Sequence, residues 1–293
     1  MSAPLNPQAE AIATSRGPGF LRRLCRSRTA MLALGFIGLV ILLAALAPFV
    51  AGHDPMVGGD DAMLPPLSPG HWLGTDDLGR DVWAQTVYGA RVSLMVGLVT
   101  ALFAVSIGVV VGGLAGYYGG WVDTVLMRVS EFFQTLPRFV LALIVIALFG
   151  SGLWKVIFVI AILSWPQTAR LVRASVSSLR QQPFVDAARV GGMGDRALLL
   201  REILPNVAAP IIVTGSLDVA AAILLEAGLG FFGLGDPNHI SWGSMLNEAQ
   251  QYLRIAWWMS LFPGLAIALT VLSFNVLGDA LNDALNPRSR VRS

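Results

Sequence analysis

Uncharged apolar runs alternate along this chain with short polar segments that carry arginine. A helix needs about 20 mostly apolar residues to cross a bilayer. Thr29 to Ala51 and Val92 to Val122 carry no charge and meet that length. The first run exceeds the ~7–15 apolar residues of a secretory signal peptide, so it reads as a retained span. Residues 203–235 and 255–282 give two more spans, interrupted by Asp218, Glu226 and Asp279. Phe139 to Trp154 and Val156 to Ala169 are each short and separated by Lys155. From length alone they form one tilted span, or two that meet at the Gly150-Ser151-Gly152 turn.

Arginine decides between these readings, because cytoplasmic segments collect Lys and Arg near span ends. Arg16, Arg22, Arg23, Arg26 and Arg28 precede the first span. Arg170, Arg173, Arg180, Arg189, Arg196 and Arg201 follow the middle apolar runs, and Arg288, Arg290 and Arg292 end the chain. Two middle spans place all three clusters on one side; a single span does not. The pattern therefore predicts an all-α integral membrane protein with six transmembrane helices and both termini cytoplasmic. Its expected layout is a tail over 1–28, a first helix over 29–51, an external segment over 52–91, and a five-helix core over 92–285. That core contains a cytoplasmic loop over 170–204, and a tail over 286–293 follows it.

Composition agrees with the membrane class. Charged residues are 13% and hydrophobic residues 55% of the chain, against about 25% charged in soluble domains. A net charge of +2 gives no reason to expect a nucleic-acid partner. The single cysteine, Cys25, excludes an intramolecular disulfide. The only lysine, Lys155, follows Trp154, so no Gly-Lys-Ser/Thr phosphate loop exists. No Gly-x-Ser-x-Gly elbow is present. His53, His71 and His239 lack metal-ligand spacing. We expect no catalytic residue, no metal and no cofactor in this chain, so any active transport draws on a partner or an ion gradient.

Residues 170–204 have a local logic. Ala174 to Arg189 suits a helix apart from Pro183, and Gly191, Gly192 and Gly194 break it. Asp195 can cap a second helix through Leu204, with Leu198, Leu199, Leu200 and Ile203 as its apolar group, ended by Pro205. A knob of this shape suits a groove on a protein below the membrane; it equally suits an ordinary charged loop that sets topology. In the 71–91 stretch, Asp76 or Asp77 can cap a short helix holding Val82, Trp83 and Val87. Trp72, Trp83 and Tyr88, and also Trp242, Trp257 and Trp258, read as interfacial anchors or as a surface near a docked protein. Ionisable groups inside a span default to a functional reading; Asp218 and Glu226 stand eight residues apart, near one helix face.

The run Phe184-Val185-Asp186-Ala187-Ala188-Arg189-Val190-Gly191-Gly192, followed by Ile203-Leu204-Pro205-Asn206, resembles the cytoplasmic loop of permeases of bacterial ATP-binding-cassette (ABC) importers. Asp186 stands where that pattern has Glu. His71 through Val82, Tyr88-Gly89-Ala90-Arg91, Ser241-Trp242-Gly243-Ser244-Met245-Leu246, Phe262-Pro263-Gly264 and Asn275 through Arg288 are similar to the dipeptide, oligopeptide and nickel branch. Ala84 and Gln85 depart from the expected Ser-Arg.

The resemblance implies an ABC type I importer (MetI-like) permease fold in a bacterial plasma membrane. It implies that Asp186, Ala187, Ala188, Gly192, Arg196, Ile203, Leu204 and Pro205 couple to an ATPase. It makes Gly74, Thr75, Asp76, Gly79, Arg80, Asp81, Trp242 and Gly243 an external signature. Asp218 and Glu226 become candidates for the pore or for helix packing. The implied partners are a second homologous permease, two ABC ATPase subunits that bind ATP-Mg, an extracytoplasmic solute-binding protein and membrane lipid. The competing expectation is a secondary transporter or channel that uses Asp218 and Glu226 as an ion relay.

Overall fold

Lipid offers backbone N–H and C=O groups no partner, so apolar runs of this length satisfy themselves as helices. The computed structural model describes Leu24 and residues 27–285. Cys25 and the tail arginines other than Arg28 lie outside the described residues. Helices α1 (Arg28–Ala45), α2 (Ala47–Val50), α3 (Val82–Tyr118), α4 (Gly120–Thr135), α5 (Arg138–Phe149) and α6 (Leu153–Arg180) come first. Then follow α7 (Pro183–Val190), α8 (Asp195–Ala197), a π-helical turn (Leu198–Ile203), α9 (Leu204–Phe231), α10 (Trp242–Ala249) and α11 (Trp258–Leu285). Among the described residues the only β pairing is two isolated bridges, Ser68 with His71 and Thr75 with Asp81.

Five helical stretches are long and apolar enough to cross a membrane: α1, α3, α6, the continuous Asp195–Phe231 and α11. Helices α4 and α5 meet at 83° and, counted as one broken span, bring the number to six. Pro137 causes that break: it cannot donate a backbone bond, and Leu136 before it is extended. The two middle helices do meet at Gly150–Gly152, where Gly150 and Gly152 have φ of +82° and +156°. The crossing before that turn starts earlier than the charge pattern suggested, because α4 carries Asp123, Arg128 and Glu131 and so escaped the charge-free criterion.

Two further boundaries move. α3 begins at Val82, shortening the polar segment 52–91 to 52–81, and its N-cap is Asp81, not Asp76 or Asp77. Pro205 does not end a helix: it sits in the first turn of α9, directly after the π turn. A proline in a helix's first turn gives up an N–H that has little intrahelical use, so the chain passes through it.

Contacts fix which segments share an end. The Trp83 indole donates to the Val50 carbonyl (3.1 Å), and the Leu153 amide donates to Asp236 (2.9 Å). The Trp258 indole donates to the Thr75 carbonyl (3.0 Å). Residues 52–81, 150–152 and 232–257 therefore form one end. At the other end Tyr117 packs with Val176, Val185, Leu198 and Ile203. The described start of α1 and the end of α11 also lie there, as six crossings require.

The bundle is held most closely between α3 and α6. Gly108, Gly112 and Gly116 recur every four residues along one face of α3. A Cβ on Gly112 would stand 2.3 Å from the Ala169 carbonyl oxygen, and one on Gly116 2.6 Å from that of Arg173. Small residues let membrane helices approach backbone to backbone where no hydrophobic drive pulls them together. Large apolar side chains face outward instead: Leu32, Leu102 and Leu148 are 75%, 66% and 76% exposed.

Gly112→Leu should therefore force α3 from α6, at a cost of about 3 kcal/mol or more. The monodisperse fraction in detergent size-exclusion should fall at least severalfold. Gly35→Leu, where added atoms meet open space, should behave as wild type.

Candidate functional site

The loop between α6 and α9 is built as a mounted platform. Pro183 opens α7 at a position where its missing N–H costs nothing. α7 closes on a left-handed glycine: Gly192 has φ +87°, its amide donates to the Arg189 carbonyl (3.0 Å), and the Met193 amide donates to that of Ala188 (3.1 Å). This paired bond pattern is a Schellman end, which needs Gly or Asn at the left-handed residue. Val185 is fully buried against Tyr117, Val172, Val176, Leu198 and Ile203, and Ala188 packs beside them.

The opposite face is free. Phe184, Asp186, Ala187, Val190 and Gly191–Gly192 are exposed. Asp186 and Arg189 are 3.6 Å apart and both largely solvated, so their pairing is worth little. Arg196 is also exposed. The expected apolar group on the second helix divides: Leu198 and Ile203 are buried, whereas Leu200 is exposed. Asp195 does not act as a side-chain cap; it accepts the Tyr117 hydroxyl (2.5 Å), which ties the loop to α3. Leu204 is half-buried and Pro205 exposed. Arg173 grips Asp123 through two nitrogens, Nε at 2.9 Å, fixing α4 to α6 near the same end. This surface has shape and rigidity but no acid–base or nucleophilic pair.

At the other end, residues 71–81 fold around one buried carboxylate. Asp76 accepts the backbone amides of Leu78 and Arg80 (2.9 and 2.8 Å), the Arg80 Nε (2.6 Å) and the Gln85 amide (2.6 Å). Gln85, one of the two departures from the expected pattern, is thus an internal partner. The Arg80 guanidinium also reaches Glu248 after α10 begins (2.5 Å). Burial disfavours its charge, yet Asp76 and Glu248 outweigh that and raise its pKa. Thr75 donates to the Asp61 carbonyl (2.6 Å) and accepts the Leu64 amide (2.8 Å). Gly74 and Gly79 have φ of +82° and +73°, and a Cβ on either would strike a carbonyl, of Leu64 or Gly59. Six of the eight signature residues, Gly74 to Asp81, are therefore brought together as a lobe that packs on α3, α10 and α11; the other two, Trp242 and Gly243, open α10. Burial tends to raise the Asp236 carboxyl, but the Asn238 and Leu153 amides and His239 hold it below the usual range.

Trp242 and Trp258 are not interfacial. Trp242 is buried against Gly89 and donates to the Thr86 carbonyl (2.9 Å). Gly243 lies against Ala227, whose carbonyl oxygen would be 2.7 Å from an added Cβ. Trp72 and Trp257 remain exposed. Asp218 and Glu226 are both buried in α9 but face different helices. Asp218 accepts the Thr168 hydroxyl of α6 (3.0 Å). Glu226 accepts the Ser93 hydroxyl of α3 (3.1 Å), and the Ser93 oxygen in turn accepts the Trp242 amide (3.3 Å). The histidine spacing argued against any metal-ligand group, yet the fold places His53 and His71 beside Asp81.

Residues 108–291 match the family model of the binding-protein-dependent transport system inner membrane component. Residues 16–66 match the N-terminal TM domain of oligopeptide transport permease C. The chain is 39% identical to a dipeptide transport system permease protein of Alkalihalophilus pseudofirmus over 97% of this chain and 94% of that protein. It is 41% identical to the glutathione transport system permease protein of Pectobacterium atrosepticum over 92% of this chain and 90% of that protein. The Escherichia coli counterpart is 42% identical over 92% and 89%.

Removing the Asp76 carboxylate leaves Gln85 and two amides without their acceptor and Arg80 with Glu248 alone. Breaking a buried ion pair costs about 3–5 kcal/mol. Asp76→Ala should make residues 52–81 at least tenfold more sensitive to limited proteolysis. Asp60→Ala, at an exposed site, should not.

Proposed function

The chain belongs to the family of binding-protein-dependent transport system inner membrane components, and from that premise we propose that it imports peptides or related small solutes as half of a translocation pore. It is a multi-pass permease of the inner membrane. Permeases of this kind work with an ATPase and a substrate-binding component. We take the specific assembly to be this chain with a second homologous permease and two ABC ATPase subunits, which bind ATP-Mg and carry the hydrolysis. Peptide cargo rests on the dipeptide and glutathione permeases it is similar to.

The observation that carries this reading is the α7 platform: one face locked by Val185, the other left open, and Gly192 holding the turn. In this reading the exposed residues Asp186 and Ala187 seat in a groove of the ATPase, with Ala188 and Arg196 at its margin. Ile203, Leu204 and Pro205 join that platform to α9 without a break. A partner that binds one orientation of α7 more tightly than another shifts the whole helix pair with it. α9 then carries the displacement to the far end, where Glu226 meets α3. The 52–81 lobe and α10 face the solute-binding protein, which puts both termini and the 170–204 loop on the cytoplasmic side. Asp218 and Glu226 act as helix-packing braces, since each hydroxyl partner holds it to a neighbouring helix. Family membership sets aside the ion-relay transporter or channel.

Gly192→Val introduces a β-branched side chain at positive φ, and Asp186→Lys reverses a charge on the docking face. Each should reduce peptide uptake in cells at least tenfold while membrane insertion stays at the wild-type level. Wild-type uptake in both variants would overturn the coupling assignment. Asp218→Asn keeps an acceptor for Thr168 and should retain uptake within about twofold; a loss beyond tenfold at unchanged protein level would place Asp218 on the cargo path.

A further inference from the structure

The lobe contains a donor cluster that the import reading does not use. His53, just after α2, stacks on His71 with ring centroids 5.0 Å apart and planes at 28°. The His71 Nδ1 and Asp81 Oδ1 are 2.8 Å apart. One donor atom from each of His53, His71 and Asp81 lies within 4.8 Å of the others. These residues are 18 and 10 positions apart in sequence and come from three separate pieces of backbone. They open into a cavity of about 330 Å³ that Asp54 and Asp61 also line. We propose that His53, His71 and Asp81 bind one divalent transition-metal ion of the zinc–nickel–copper class.

Donor chemistry selects the class. Two imidazoles with one carboxylate suit borderline first-row ions, whereas Mg²⁺ and Ca²⁺ prefer all-oxygen sets. Donors around a tetrahedral ion with ~2.1 Å bonds sit about 3.4 Å apart. The cluster must contract by roughly an ångström and a half at its widest, and His53 supplies this freedom, being exposed on a loop. His71 and Asp81 are already in register. The ion replaces the proton they share, and neutral His71 then carries its proton on Nε2. Asp81 Oδ2 stays bonded to the Ala84 amide (2.8 Å), so the metal would rest on the N-cap of α3. Three protein donors leave a further position open to water or to an oxygen of Asp54 or Asp61. A bound ion would pin the segment after α2 to the N-cap of α3, stiffening the lobe from outside the membrane-spanning bundle.

The test uses the full chain co-purified with its partner subunits in lipid nanodiscs. After chelation and dialysis, Zn²⁺ and separately Ni²⁺ are titrated by calorimetry, with Mg²⁺ as the comparison ion. X-ray absorption then counts nitrogen donors on the bound metal. The proposal expects one Zn²⁺ per copy of this chain at micromolar or tighter affinity, two imidazole donors, and no Mg²⁺ binding. His53→Ala, which disturbs no buried group, should weaken Zn²⁺ at least tenfold, and His71→Gln should weaken it further. No stoichiometric binding, or binding unchanged in His53→Ala, would overturn the site. Either result leaves the import reading where it stands, because uptake by the unmutated chain in metal-free medium reports on that separately.

Discussion

The close approach of α3 and α6 is the constraint on which the rest depends. With glycine at 108, 112 and 116, the α6 backbone comes within a carbonyl's width of α3. That approach places Tyr117 beside Val172 and Val176, and their shared apolar surface receives Val185, Leu198 and Ile203. Without it the loop would have no floor. The same α3, followed to its other end, is capped by Asp81 and carries Gln85 to the Asp76 carboxylate. One long helix thus supports both the α7 platform and the lobe, at opposite ends.

Three polar pairs inside the bundle cross between helices. Thr168 with Asp218 joins α6 to α9; Ser93 with Glu226 joins α3 to α9; Arg173 with Asp123 joins α6 to α4. α9 is the common member of the first two. It begins inside the loop without a break and ends beside α10, where Asn247 and Gln250 donate to the Phe231 carbonyl (2.7 and 2.9 Å). A displacement applied at α7 therefore has a continuous, braced element along which to travel.

Much of this was legible in the sequence because membrane spans obey a coarse rule. Charge-free runs located α1, α3, α9 and α11, and arginine placement separated α5 from α6. The glycine turn at 191–194 was readable as a helix break, and the fold bears that out. What the sequence hid was set by tertiary contact. Gly108, Gly112 and Gly116 look inert in an apolar run until a partner helix presses on them. α4 carries charges that Arg173 answers only in the fold. Trp242 and Trp258 resemble interfacial anchors by type, but each indole finds a buried carbonyl. Pro205 reads as a stop, and the π turn before it lets the helix continue. His53, His71 and Asp81 have no local spacing to betray them, since loops from three places bring them together.

The central claim is that the exposed face of α7 meets the ATPase. A photoactivatable cross-linker placed on Ala187→Cys, with Cys25→Ser removing the only native thiol, tests it directly in membranes containing the whole transporter. The expected result is an adduct of this chain with the ATPase subunit, absent when the same probe sits on Leu67→Cys in the lobe, which is 88% exposed. An adduct from Leu67→Cys but not from Ala187→Cys would contradict it.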